Sequence, residues 1–117
     1  MKKQLVLLVF ACALMTASLA QAITGGDYAR VRWKGKWYDA EVRQVSGTQL
    51  LIHYTGYENS WDEWVSMDRV AIQVYWKDTW YKASALESGD NKVLIHYDGY
   101  EDNWDEWVNL NRIRSYK

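Results

Sequence analysis

The chain reads as an all-β protein, two small β-barrels in tandem behind an N-terminal export segment. Three observations predict this. The run His53-Tyr54-Thr55-Gly56-Tyr57-Glu58-Asn59-Ser60-Trp61-Asp62-Glu63-Trp64-Val65 returns as His96-Tyr97-Asp98-Gly99-Tyr100-Glu101-Asp102-Asn103-Trp104-Asp105-Glu106-Trp107-Val108, at a constant offset of 43 residues. Inside each copy apolar and polar residues alternate with period 2, the pattern of a strand with one wet face. The first 22 residues differ from everything after them in composition.

The export segment comes first. Lys2 and Lys3 supply a positive start, Leu5 to Leu14 an apolar run, and Ala20-Gln21-Ala22 a small-x-small cleavage pattern. The run is shorter than the roughly 20 apolar residues that a membrane span needs. We therefore expect a signal peptide over 1–22, forming a signal helix and cleaved after Ala22, and a secreted or periplasmic product with no stable membrane span. A lipoprotein reading of Val9-Phe10-Ala11-Cys12 is the alternative, set against bulky Phe10 and the apolar sequence beyond Cys12.

Residues 23–27, with Gly25-Gly26, read as a short flexible leader. The first repeat spans 28–70 and the second 71–117; repeats of this kind organise a fold before any local signal does. Ala29-Arg30-Val31-Arg32-Trp33 alternates as a first strand. Trp37 to Val45 makes a second, with Tyr38, Ala40, Val42 and Val45 turned inward. Gln49 to Thr55 and Trp61 to Val65 follow, with turns at Gly35-Lys36, Ser46-Gly47 and Thr55-Gly56. The second repeat follows suit, turning at Asp78-Thr79, Ser88-Gly89-Asp90-Asn91 and Asp98-Gly99. Met67-Asp68-Arg69-Val70 and Leu110-Asn111-Arg112-Ile113 suit a helical turn that leads into a closing strand. Four or five strands in so few residues predict a bent antiparallel barrel that closes to remove its edges. Units this small are marginal alone, so the two are expected to dock on each other.

Composition excludes several chemistries. Loss of 1–22 removes Lys2 and Lys3, leaving 12 basic against 15 acidic side chains and a net charge of −3. Cys12 leaves as well, so the mature chain has no disulfide, thiol nucleophile or Cys-ligated metal. His53 and His96 are the only histidines and sit at equivalent places in separate repeats; each reads as a strand histidine bonded to a neighbour. Asp62-Glu63 and Asp105-Glu106 are adjacent strand residues, which face opposite sides and cannot act as a carboxylate pair. They read as partners of Arg69 and Arg112, or as caps of the following turn. No Ser/His/Asp order, phosphate loop or zinc spacing is present. We expect no enzyme, no cofactor and no metal.

The run Ile52-His53-Tyr54-Thr55-Gly56-Tyr57, with Trp61-Asp62-Glu63-Trp64-Val65 and Arg69-Val70, resembles the signature of chromo-barrel and Tudor-knot domains. Trp37-Tyr38-Asp39-Ala40-Glu41-Val42 is similar to their second strand. The resemblance covers both repeats and implies a five-stranded SH3-like barrel in each. In the methyllysine-reading members of that Royal group an open aromatic cage holds the ligand. Carried over, the cage residues are Tyr38, Tyr54, Tyr57 and Trp61, and Tyr81, Tyr97, Tyr100 and Trp104. The family often adds a further cage member near the first strand, where Lys34 and Lys77 lie; a lysine there would repel a cation. Other relatives bind RNA or protein.

Physical chemistry supports the cage by itself, since aromatic faces carry negative quadrupole charge that attracts an alkylated ammonium. The same rings could equally be ordinary packing, because Tyr and Trp at sheet rims need a partner for their polar atom. Trp64 and Trp107, each directly before Val, read as core. The expected function is an exported, non-enzymatic binding module for a methylated or quaternary amine, or for a protein or peptide presenting one. The alternatives are an interaction scaffold, or a carbohydrate or RNA binder that works by aromatic stacking. Nucleic acid is disfavoured by the acidic balance and dispersed Lys and Arg.

Overall fold

The structure, a computed structural model, describes residues 22–116; all of the expected signal segment but Ala22 falls outside the described residues. The first barrel comprises β1 (Tyr28–Trp33), β2 (Lys36–Ser46), β3 (Gln49–Tyr54) and β4 (Glu63–Ser66). The second comprises β5 (Ile72–Trp76), β6 (Thr79–Ser88), β7 (Lys92–Tyr97), β8 (Glu106–Asn109) and β9 (Ile113–Ser115). Short 3-10 turns at Asn59–Trp61, Met67–Arg69, Asp102–Trp104 and Leu110–Arg112 join the later strands. All sheet pairings are antiparallel, in the orders β1-β2-β3-β4 and β8-β7-β6-β5-β9.

Alternation decides which side chains enter the core. Ala29 and Val31, Ala40 and Val42, Leu50 and Ile52, and Val65 are all buried, as are Val74, Ala83, Val93, Ile95 and Val108 in the second barrel. Apolar burial of this kind, at about 25 cal/mol per Å², is the main stabilising term. The phase breaks within β2, where the pairing with β3 slips between Val42 and Gln44, and again in β6 between Ala85 and Glu87. Such a bulge bends and twists its strand, which helps a short sheet to close. It also puts Val45 opposite buried Leu50, on the inward face expected of it, where strict alternation from Val42 would have placed Gln44; Val45 is still 39% exposed.

Three expectations about turns are corrected by one residue, the β2–β3 turn falling at Gly47-Thr48 rather than Ser46-Gly47. The β1–β2 hairpin closes at Lys34-Gly35 rather than Gly35-Lys36, and β5–β6 closes at Lys77-Asp78 rather than Asp78-Thr79. Both loop residues take positive φ, at 48° and 78° in the first hairpin and 46° and 68° in the second. That is the geometry a two-residue hairpin loop prefers, because its twist matches the strands.

The fifth strand is formed unequally. In the second barrel β9 pairs with β5 through Val74↔Ile113. In the first barrel the equivalent contact is the single bridge Val31↔Val70. There the chain runs straight on into β5, with Ala71 N–H donating to the Arg30 carbonyl at 2.9 Å. The barrels are docked: Ser115 Oγ donates to the Tyr28 carbonyl at 2.7 Å, and the Met67–Arg69 turn packs on β6. Buried residues of both barrels form one continuous core.

The segment 23–27 is packed rather than loose. Ile23 is buried, Gly26 N–H donates to the Val42 carbonyl at 2.7 Å, and Val42 N–H donates to the Asp27 carbonyl at 2.8 Å. Ile23 lines a small niche together with Val45, Leu50 and Met67 of one barrel and Leu110 and Ile113 of the other. No helix among the described residues is long and apolar enough to cross a membrane.

Candidate functional site: two aromatic cavities

Each barrel opens a cavity at the end of its sheet, about 320 Å³ in the first and 370 Å³ in the second. Trp33, Tyr38, Tyr54, Tyr57 and Trp61 wall the first; Trp76, Tyr81, Tyr97, Tyr100 and Trp104 wall the second. The eight residues that sequence reasoning named are thus brought together as two sets of four. Each set gains a tryptophan from the end of its first strand.

Local structure explains how the rings meet. Tyr38 extends from β2 on the face that buries Ala40 and Val42, and Tyr54 ends β3 on the face of Leu50 and Ile52. The chain then reverses: Tyr57 N–H donates to the Tyr54 carbonyl at 3.0 Å, and Gly56 takes φ +85°. A positive φ at that third turn position strongly favours glycine, and Gly99 at φ +84° repeats it. The 3-10 turn Asn59–Trp61 next brings Trp61 back over the opening, with Trp61 N–H donating to the Glu58 carbonyl at 3.0 Å.

The rings stand close to perpendicular. Tyr38 lies 5.9 Å from Tyr54 at 79° and 6.2 Å from Tyr57 at 80°, and Trp33 lies 6.3 Å from Trp61 at 74°. In the copy, Tyr81 lies 5.9 Å from Tyr97 at 81° and 6.0 Å from Tyr100 at 86°, and Trp76 lies 6.0 Å from Trp104 at 70°. Edge-to-face contacts of this kind are favourable in themselves and leave other ring faces turned to the cavity.

The floor and the rim differ in kind. Tyr54 is 7% exposed, whereas Tyr57 is 52% and Trp61 56% exposed. The Tyr54 hydroxyl donates to Glu63 Oε2 at 2.6 Å, and Arg69 Nη2 donates to that same oxygen at 3.0 Å. Arg69 Nε donates to the Arg32 carbonyl at 2.9 Å, tying the turn after β4 back to β1. Tyr97, Glu106, Arg112 and the Tyr75 carbonyl repeat the arrangement. Burial, together with the hydrogen bond to Glu63, pushes the Tyr54 phenol up to about 12, and the same causes raise Tyr97. Burial alone would raise Glu63, but the Tyr54 hydroxyl and Arg69 outweigh it and hold the carboxyl below its ordinary value. The cavity floor is therefore a neutral phenol over a fixed carboxylate.

At the rim His53 Nδ1 lies 2.7 Å from Asp62 Oδ1, and His96 Nδ1 lies 2.8 Å from Asp105 Oδ1. Each histidine has the bonded neighbour expected of it, and each Asp lines its cavity. In the second barrel Asp102 adds a carboxylate 3.5 Å from His96 Nδ1. His96, Asp102 and Asp105 place their donor atoms within 4.8 Å of one another, a set that could hold a divalent cation.

Trp33 and Trp76 escaped the sequence reading. The signal was present, because Trp33 shares strand parity with buried Ala29 and Val31. Lys34 and Lys77 do not line the cavities; their ammonium groups stand 4.9 Å from the Trp33 and Trp76 ring centroids. Trp64 and Trp107 are corrected: both are 44% exposed. Their neighbours Val65 and Val108 point inward, so adjacent tryptophans on the same strand must point out.

Residues 23–72 match the family model of the Tudor-knot, described as an RNA binding activity-knot of a chromodomain. No curated protein matches the chain. Among solved structures the chain is similar to tandem Agenet domain 3-4 of ADCP1, at 15% identity over 86% of this chain and 84% of that one, with a TM-score of 0.37. It is also similar to AGD34 of AGDP1 from Arabidopsis thaliana, at 12% identity over 87% and 86%, with a TM-score of 0.35. Scores this low carry no weight beyond a general likeness.

Proposed function

We propose that this tandem Tudor-knot-like chain, its second barrel copying the matched first one, is a non-catalytic receptor for a methylated or quaternary ammonium group. A peptide or protein would present that group. The observation that carries the reading is the set of five aromatic rings around each cavity, one of them a floor phenol hydrogen-bonded to a carboxylate. Ring faces attract an alkylated ammonium by about 0.5–2 kcal/mol each, more as water is excluded. Glu63, held ionised by Arg69 and Tyr54, adds negative potential rather than a proton donor.

RNA is the second reading, because the matched family's description names RNA binding. The same rings would then stack on bases. The backbone-binding half of such a site is poorly supplied. On the outer face of the β1–β2 hairpin Arg30 opposes Asp39 and Tyr28 opposes Glu41, while Arg43 lies 3.7 Å from Glu41. The cations that could meet phosphate in the first repeat, Arg30, Arg32, Lys34, Lys36 and Arg43, are interrupted by acids, which weakens the phosphate neutralisation that nucleic-acid affinity depends on.

Export rests on Lys2, Lys3, the apolar run and Ala20-Gln21-Ala22. Mass analysis of the protein recovered from its host should give a chain beginning at Ile23; an intact Met1 on the bulk of it would count against export. The binding reading is tested by tryptophan fluorescence on titration with trimethyl-lysine, lysine, choline, a short glycan and single-stranded RNA. Saturable quenching by the methylated amines, lost in the Tyr57→Ala/Tyr100→Ala protein, is expected. A response to glycan or RNA alone would move the site to stacking chemistry, and silence towards all of them would make the barrels a scaffold.

A further inference from the structure

Away from the ring-walled cavities the two barrels diverge, most of all on the outer face of β5, β6 and β9. Side chains alternate there, so buried Ile72, Val74 and Ile113 leave Gln73 and Arg114 on the outward side of the sheet. Strand pairing sets Arg114, Gln73 and Lys82 in one row across three strands, with Tyr75 opposite Trp80 in the next. At the equivalent positions the first barrel has Ala71, Arg30 and Asp39, where a cation faces an acid. The row in the second barrel carries two cations and no acid.

Arg114 is oriented by two contacts. Its Nε donates to Gln73 Oε1 at 2.7 Å, and its guanidinium carbon stands 4.2 Å from the centroid of the Trp80 ring, which Tyr75 flanks at 5.2 Å. Together these fix the plane of the group. They leave both terminal nitrogens without a hydrogen-bond partner among the described residues. Neither Arg114 nor Lys82 forms an ion pair with any of those residues. A guanidinium held in this way is a ready fork for a planar anion, because two parallel N–H groups match the two oxygens of a carboxylate.

Arg114 also lines a cavity of about 350 Å³, together with Ser115 and Tyr116 at the end of the chain and Thr24, Asp27 and Tyr28 near its start. Asp27 is the acid of this wall, and its Oδ2 accepts from Thr24 N–H at 2.8 Å. Lys82 Nζ stands 5.6 Å from the Tyr116 ring centroid. One guanidinium and one nearby ammonium against one carboxylate leave a single net positive charge, which suits a monoanion better than a phosphate dianion. Ala22 also lines the cavity and would leave on the export reading, which removes none of these groups.

We propose that this cavity binds a carboxylate, taken end-on by the two terminal nitrogens of Arg114. Gln73 and Trp80 act as positioning residues and Lys82 supplies a second cation. The site is separate from the ring-walled cavities and does not depend on what they hold. The first barrel cannot repeat it, since Ala71 stands where Arg114 does.

The test follows Arg114 Nε–H and the Trp80 indole N–H by nitrogen-15 NMR. The purified protein is titrated with N-acetylglycine, glucuronate and methyl phosphate, with chloride holding the ionic strength constant. Saturable shifts with a carboxylate are expected, and the tighter of the two names its source as a peptide or a sugar acid. Arg114→Lys keeps the charge but loses the fork, and read at Trp80 it should weaken binding by about tenfold or more. Gln73→Ala keeps the fork but frees its plane and should weaken binding less. Tighter binding of methyl phosphate, shifts that Arg114→Lys leaves intact, or the absence of any saturable shift with either carboxylate overturns the proposal.

Discussion

Tyr54 and Glu63 are joined by a 2.6 Å hydrogen bond beneath the first cavity, and Tyr97 and Glu106 repeat it at 2.6 Å beneath the second. The bond makes one residue serve two purposes, since the ring faces the cavity while the hydroxyl helps anchor the strand that follows. The purposes can be separated by substitution. Tyr54→Phe keeps the ring but leaves a half-buried carboxylate and guanidinium short of a partner, a loss of about 1–3 kcal/mol. Tyr57→Ala, by contrast, removes an exposed ring and should stay within about 0.5 kcal/mol in stability. Chemical denaturation and ligand titration should therefore rank the two variants in opposite orders.

Alkaline titration supplies a second check. Tyr54 ionises only near pH 12 in the folded state, well above an ordinary phenol. A folded value raised in this way contributes stability that is complete below the unfolded value, near pH 10, and lost as pH rises through the folded one. The chain should hold its fold to about pH 10 and weaken between there and pH 12. Among its nine tyrosines, Tyr54 and Tyr97 should give phenolate absorbance last. Titration of Tyr54 and Tyr97 in the ordinary phenol range would contradict the buried hydrogen bond.

The Thr55-Gly56 turn offers a third. A side chain at Gly56 would meet no neighbouring atom, so any cost of Gly56→Ala is conformational rather than steric. Holding a non-glycine residue at positive φ costs about 1–2 kcal/mol. Melting should drop accordingly, and the response of the first cavity should weaken because Tyr57 is placed by that turn. An unchanged melting temperature would mean that the turn can relax without Gly56.

Ile23 supplies a fourth. Its buried side chain walls the niche between the barrels, and Ile23→Ala should cost about 2–5 kcal/mol. Thermal unfolding measures this directly. A loss below 0.5 kcal/mol, about the range of surface changes, would show that the segment contributes nothing to the dock.

Much of this architecture was legible in the chain, for identifiable reasons. Period 2 marked the strands because alternation is a local property of the backbone, and the 43-residue offset announced that any site would occur twice. Tyr38, Tyr57 and Trp61 could be grouped because one repeat motif carries two of them and a second strand the third. Trp33 was lost through a one-residue slip in the hairpin, although its parity with Val31 pointed the right way. Trp64 was misread because nearness to a core valine was taken for burial, when adjacency on a strand implies the opposite face. Ile23 was illegible, since its partners Met67 and Leu110 lie far away in sequence and nothing near Gly25-Gly26 advertises them.

The junction at Val70, Ala71 and Ile72 has a consequence for any ligand that carries two cations. Val70 bridges to Val31, Ala71 is bonded to Arg30, and Ile72 already belongs to the next sheet, so no slack separates the barrels. On the binding reading proposed above, the chain is a caliper with fixed jaws. A polymer whose cations fall at the jaw spacing would gain the effective concentration of an intramolecular second contact, while one with the wrong spacing would bind one jaw at a time.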